Sequence, residues 1–254
     1  MTDLTGKHAL VTGGGSGIGA AIAFAVAQAG AQVTICGRRK DELEFTAERH
    51  PNIHAQAADV TDETSIAKLY RTAQKARGAF AIVVANAGGT ESAPAEKISP
   101  ALWSKTLDVN LTGAFFSVQP ALAAMRQQKW GRIIFIASTA GLKGYPYVAH
   151  YVAAKHGIVG LTRALATETI KEGITANAVC PGFTETSLLD RAVERVAERT
   201  KVGEGEARNL LLAHNPQGRF IQPQEVADAV VWLCQEGSGV ITGQTISVSG
   251  GETW

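Results

Sequence analysis

The chain has few of the residues that would tie it to a metal, a disulfide framework or a membrane. It holds only three cysteines, Cys36, Cys180 and Cys234, odd in number and far apart. No CxxC pair is present, which excludes a zinc ribbon and argues against a disulfide-stapled fold. Each cysteine lies in or beside an apolar run, which predicts a buried thiol acting as a small hydrophobe. Excess charge of one sign is missing too: 24 Lys and Arg against 23 Asp and Glu leave +1. Such a chain has no global basic field to draw in nucleic acid or anionic lipid. Long apolar runs are absent as well. The run Ala20–Ala27 near the start is far short of the roughly 18 residues that suggest a membrane span. The opening MTDLTGKHAL has no apolar core of signal-peptide length. A cytoplasmic protein is expected.

What the chain does have is material for a core and an excess of glycine. Hydrophobic residues make up 45% and charged residues 19%, which excludes disorder. The 27 glycines show no period of three, which excludes collagen. Strand-like and helix-like segments alternate. Apolar or β-branched runs at 8–12, 32–36, 53–57, 80–85, 132–138, 174–180 and 245–248 read as strands. Between them lie helical stretches at 18–29, 39–49, from Thr61 or Asp62 to about Arg77, at 149–171, and from Pro223 onward. Ser99-Pro100, a cap followed by proline at the first helical position, opens a further long helix.

Continuous apolar strands separated by helices indicate a parallel sheet covered on both faces. The expected class is α/β: a doubly wound, mostly seven-stranded, Rossmann-like sheet. No linker interrupts it, so one domain over 1–254 is expected. Residues 187–215 are polar, helical-looking and outside the alternation. They read as an insertion covering the substrate.

Thr12-Gly13-Gly14-Gly15-Ser16-Gly17-Ile18-Gly19 follows the first strand and opens the first helix. Glycine there lets the backbone turn tightly and approach a pyrophosphate, while the helix start offers free N–H groups. Tyr151 and Lys155 stand one helical turn apart on a shared face. Ser138 falls at the end of the fifth strand, and Asn86-Ala87-Gly88 at the end of the fourth.

This set resembles the short-chain dehydrogenase/reductase family, in its single-domain branch of about 250 residues. The resemblance covers nearly the whole chain: TGxxxGxG at 12–19, Asn86-Ala87-Gly88, Asn110 in DVN, Ser138, YxxxK at 151–155, and Pro181-Gly182 followed by Thr186. It implies an NAD(P)-dependent oxidoreductase that interconverts a ketone and a secondary alcohol. Tyr151 would be the acid/base, Lys155 the cation that lowers its pKa, and Ser138 the polariser of the substrate oxygen. Asn110 would hold a water that links Lys155 to solvent. The cofactor would contact Gly13, Gly15, Ser16, Gly17, Ile18 and Gly19 at the phosphates. Asp59 and Val60 match the adenine-contacting position, and Asn86, Ala87, Gly88, Pro181, Gly182 and Thr186 complete the expected set.

The second strand ends at Cys36, followed by Gly37-Arg38-Arg39. Where other dinucleotide folds place an acid on the ribose 2′-hydroxyl, this chain has glycine and two guanidinium groups suited to a 2′-phosphate. NADP(H) is favoured, with NAD(H) the alternative. Leu188, Leu189, Arg191, Arg195 and Arg199 in the insertion suit a 3-oxoacyl or 3-hydroxyacyl thioester. The competing reading pairs these arginines with Glu194, Glu198, Glu204 and Glu206. Other substrates remain open: a small or cyclic secondary alcohol, a sugar or a steroid. A non-catalytic dinucleotide-binding regulator has no need of Ser138, Tyr151 and Lys155 together. A sugar-nucleotide epimerase would have TGxxGxxG spacing and a longer C-terminal domain. His150 beside Tyr151 reads as a pocket-lining or a core residue. The resemblance also implies a homotetramer (or homodimer) and no metal.

Overall fold

A computed structural model describes residues 3–253. Seven parallel strands form one sheet in the order β3-β2-β1-β4-β5-β6-β7. They are β1 (His8–Thr12), β2 (Gln32–Gly37), β3 (Ile53–Ala57), β4 (Ile82–Ala85), β5 (Gly131–Ile136), β6 (Ile174–Pro181) and β7 (Thr245–Val248). Side chains alternate across each strand and divide between two cores. Leu10, Val83, Phe135 and Ala178 enter one. Val11, Val84, Ile134 and Val179 enter the other. Burial on both faces explains why the strands read as unbroken apolar runs rather than alternating ones.

Helices α1 (Gly17–Gln28) and α10 (Pro223–Cys234) pack together over the second core. On α10, Val226, Val230 and Leu233 are buried, each contributing about 1.5–3 kcal/mol. On the first core lie α3 (Glu63–Arg77), α5 (Gly113–Val118), α6 (Leu122–Gln128) and α7 (Ala149–Thr169). Helix α2 (Lys40–Glu48) packs beside β2 and β3. Asp62 is the cap of α3, accepting from the Thr64 amide at 2.9 Å. Ser99 caps α4 (Pro100–Leu107), accepting from the Leu102 amide at 3.1 Å.

The long helix expected after Ser99 is broken into α4, α5 and α6. A π-helical turn at Asp108–Thr112 and a 3-10 turn at Gln119–Ala121 separate them. Pro120, which has no N–H, accounts for the second break. Residues 187–215 contain α8 (Ser187–Thr200) and α9 (Glu204–Leu212). Leu189 and Val193 meet Ala207 and Phe220 in a small core of their own. All three cysteines are free and buried.

Between β1 and β4 the strand order reverses, so their carboxyl ends diverge into a crevice where ligands of such sheets bind. At the opposite end, the Trp130 ring lies under the Lys7 ammonium at 3.7 Å and the Arg132 guanidinium at 4.5 Å. Among the described residues, no helix is long and apolar enough to cross a membrane.

Candidate active site

The crevice begins where β1 ends. Gly13 turns with φ +66°, and its amide donates to the Cys36 carbonyl at 2.7 Å. The Asn86 side chain reaches over from β4 and donates to the Thr12 carbonyl at 2.8 Å. In return the Thr12 hydroxyl accepts from the Asn86 and Ala87 amides at 3.0 and 2.9 Å. The glycine turn and the Asn86-Ala87-Gly88 segment are therefore one locked unit. Much of the glycine requirement is internal to the protein. A Cβ at Gly19 would lie 2.2 Å from the Gly13 carbonyl oxygen, one at Gly14 would meet Ile35 at 2.6 Å, and one at Gly15 would meet Glu42 at 3.2 Å. Gly17, with φ +53°, faces the Thr186 methyl across the loop.

Ser16 precedes α1 without a side-chain cap, and the first turn of α1 carries no acid. Its first N–H groups are thus free of a side-chain partner, as a bound phosphate needs. Ile18 is partly buried and packs against the second core. Together these features fit a dinucleotide pyrophosphate.

At the far side of the loop, a Cβ on Gly37 would meet only Leu43 at 3.8 Å, so the place of the ribose-binding acid is open. Arg38 and Arg39 are exposed beside it. Arg39 donates to the Ser16 hydroxyl at 3.3 Å and pairs with Glu42 at 2.5 Å. The Asp59 carboxylate accepts from the Thr61 amide and hydroxyl at 3.0 and 2.8 Å. Those bonds, with the charge of Arg38, hold its pKa below the ordinary value. Val60 is turned inward, within 2.7 Å of where a Gly113 Cβ would stand, so only its backbone is free for an adenine.

Ser138 follows β5, and its hydroxyl accepts from the Ala140 amide at 3.1 Å. It also faces the Tyr151 phenol and favours its ionised form. One turn further along α7, the Lys155 ammonium donates to the Ile136 carbonyl at 2.8 Å. It stands 5.5 Å from the centre of the Tyr151 ring. The Cys180 thiol is pushed up by burial to about 11, with the Ser138 backbone and the Lys155 charge opposing the shift. At neutral pH it remains an uncharged thiol.

Electrostatics here run against the sequence expectation. Tyr151 keeps some exposed surface, yet its phenol end lies deep in the protein. Burial pushes its pKa up to about 12, with Ser138 opposing the shift. The same burial pushes Lys155 down to about 8. In the protein alone, desolvation of the phenolate outweighs the pull of the ammonium.

Asn110 sits in the π-helical turn, a departure often found at functional sites. Its amide N–H groups go to the Gly89 and Thr106 carbonyls at 2.8 and 2.9 Å, and its oxygen accepts from the Gly89 amide at 3.2 Å. Both N–H donors are thus spent on protein, leaving a lone pair on the oxygen for a water. A Cβ on Gly88 would meet that oxygen at 2.6 Å and the Lys155 ammonium at 3.6 Å. Gly88 therefore marks the point where the two groups converge.

Pro181 ends β6, and the Gly182 amide donates to the Val248 carbonyl at 3.0 Å. Beyond them lie Phe183 and His214, which the sequence reading did not single out, and Tyr145 in the segment 139–150 expected to cover the substrate. Tyr145, Phe183 and His214 form an aromatic group with ring centres 5.7 to 6.4 Å apart. Glu252 reaches into it from the C-terminal segment and accepts from the Tyr145 hydroxyl. No motif announces this carboxylate, because its partner lies over a hundred positions away. Arg199 lies on the Tyr147 ring at 3.1 Å. Among the described residues, Arg191, Arg195 and Arg199 form no ion pair with Glu194, Glu198, Glu204 or Glu206, while Arg191 and Arg199 lie exposed on α8. His150 is wholly buried, with neither ring nitrogen hydrogen-bonded.

A glycine turn at a sheet's reversal point, with serine, tyrosine and lysine at its rim, defines a dinucleotide-dependent oxidoreductase. The model of the short chain dehydrogenase family matches residues 7–197, and the chain belongs to that family. It is 39% identical to a D-beta-hydroxybutyrate dehydrogenase of Cupriavidus necator, with 98% of each chain covered. It is 37% identical to an acetoacetyl-CoA reductase of Rhizobium meliloti, covering 97% of this chain and 98% of the relative. A solved actinorhodin polyketide ketoreductase variant with NADPH superposes with a TM-score of 0.94 at 35% identity, covering 97% of both chains. The protein is therefore an oxidoreductase that uses a nicotinamide dinucleotide.

Proposed function

We propose that this enzyme reduces the ketone of a 3-oxoacyl thioester, with Tyr151 as the proton donor. The observation that carries the reading is the convergence of Ser138, Tyr151 and Lys155, with the Lys155 ammonium 5.5 Å from the Tyr151 ring centre. A bound reduced nicotinamide supplies the hydride to the carbonyl carbon. The phenol of Tyr151, kept protonated by burial, gives its proton to the oxygen. Ser138 hydrogen-bonds the same oxygen and orients it. Lys155 stabilises the phenolate left behind, and Asn110 offers its remaining lone pair to a water that links Lys155 to solvent. A phenol held near 12 suits reduction better than alcohol oxidation at neutral pH.

The open position at Gly37 and the guanidinium groups of Arg38 and Arg39 support NADP(H) over NAD(H). The pyrophosphate is assigned to the Gly13–Gly19 loop and Thr186, and the adenine to Asp59 and the Val60 backbone. The nicotinamide half falls to Asn86, Ala87, Gly88, Tyr151, Lys155, Pro181 and Gly182. Helices α8 and α9 cover the acyl chain within a single domain. The names of the acetoacetyl-CoA reductase and the ketoreductase support the thioester. The half-exposed edge strand β7, with Trp232 and Val240 open near it, supports assembly into a homotetramer.

A spectrophotometric assay at about 340 nm with acetoacetyl-CoA, acetoacetate and simple ketones tests the substrate. Thioester turnover above the others is expected; its absence beside brisk turnover of a plain ketone overturns the reading. Tyr151→Phe is expected to lower kcat by about a thousandfold or more while dinucleotide affinity stays unchanged. Near-full kcat in that variant removes Tyr151 from its role.

A further inference from the structure

We propose that Glu252 is a specificity-determining residue: by pairing with Lys143 it cancels the charge of that ammonium near the polarising serine, which shifts the site's preference toward an uncharged group next to the ketone. The inference deepens the thioester reading and rests on it.

Thr139 follows Ser138 directly, and its hydroxyl donates to the Tyr145 oxygen at 2.7 Å. The same Tyr145 hydroxyl bonds Glu252 Oε1. Lys143, whose ammonium is 3.2 Å from that oxygen, completes the group and lies 5.0 Å from the centre of the Tyr145 ring. The Lys143 side chain is 37% exposed and that of Glu252 only 1%. The other oxygen, Oε2, is buried without a hydrogen-bond partner, near where a Gly182 Cβ would stand. A carboxylate so buried is costly unless it serves its neighbours.

The C-terminal segment is held for this task by hydroxyl groups. Thr253 bonds the hydroxyls of Ser247 and Ser249 at 2.6 and 3.3 Å. Lys143 and Glu252 together present a dipole with no net charge. An anionic substituent on the substrate gains nothing from it, whereas a neutral thioester loses no hydration to reach it.

The test compares kcat/KM for acetoacetate with that for the neutral S-acetoacetyl-N-acetylcysteamine in three proteins. Glu252→Gln keeps the shape and leaves Lys143 uncompensated. Its acetoacetate/thioester ratio is expected to rise about fivefold, the effect of one uncompensated charge in a largely hydrated site. Lys143→Met leaves the carboxylate alone, and the ratio is expected to fall by a similar factor. Dinucleotide affinity stays constant in both. Ratios within twofold of the unaltered enzyme, or shifts of the same sign in both variants, overturn the inference. If Glu252→Gln does not fold, Lys143→Met decides alone. A preference of the unaltered enzyme for acetoacetate overturns the thioester reading, while the opposed shifts still test the charge pair.

Discussion

Lys155 offers a pH dependence that follows directly from its burial. Its ammonium, held at about 8, is about 90% protonated at pH 7 and about 10% at pH 9. Tyr151, pushed up to about 12, does not titrate in that range. If the cation stabilises the phenolate formed on proton transfer, ketone reduction loses it as pH rises. At cofactor concentrations well below its KM, kcat/KM reports the groups of the free protein. We expect it to be level from pH 6 to 7 and to fall about tenfold from pH 7 to 9, with the slope of one proton. Lys155→Met is expected to start lower by about two orders of magnitude and to show no limb near 8. The reasoning is refuted if the unaltered enzyme stays level to pH 10, or if Lys155→Met retains the same limb.

Three further outcomes follow. Removing both guanidinium groups in Arg38→Ala with Arg39→Ala is expected to raise KM for NADPH about 10- to 100-fold and leave KM for NADH within about threefold; equal effects on both would place these side chains outside the cofactor site. Gly19→Ala forces a methyl into the Gly13 carbonyl and is expected to weaken dinucleotide binding at least about tenfold at a stability cost of about 1–3 kcal/mol, measured by ligand titration and urea melts. His8, with its ring nitrogens 2.7 Å from the Gly78 carbonyl and 2.9 Å from the Thr34 hydroxyl, is pushed down by burial to about 4. The unfolded chain then binds the proton first, so stability is full above about 6.5 and is lost as pH falls toward 4, by about 2 kcal/mol at pH 5. Urea melts of the unaltered protein and His8→Gln measure it; a stability difference independent of pH refutes it.

The layout of the sheet was open to sequence reading because burial on both faces leaves little choice of residue along a strand. Leu10 and Val11 face opposite cores, yet both must be apolar. The expected catalytic groups were equally visible, since Ser138, Tyr151 and Lys155 stand at fixed offsets from strand and helix ends. What the sequence hid depends on distant packing. The phenol pKa moves up because α7 is buried beside β5 and β6, a fact no local spacing carries. Asn110 stood out only through the resemblance, and the π-helical turn that points its amide at Gly89 has no local sequence signal. Arg199 found an aromatic ring instead of a nearby glutamate. Glu252 gave no sign of meeting Tyr145, because only the folded sheet brings them together.

The two cations that clasp Trp130 have a practical consequence. The indole lies at the end of the sheet opposite the crevice, between Lys7 before β1 and Arg132 within β5. Any opening of the central strands must pull one cation from its ring face and change the indole's surroundings. Trp130 is therefore a built-in optical reporter of the scaffold, seated away from where ligand binds. With Trp103, Trp232 and Trp254 replaced by phenylalanine, its emission can separate variants that lose catalysis from variants that lose the fold.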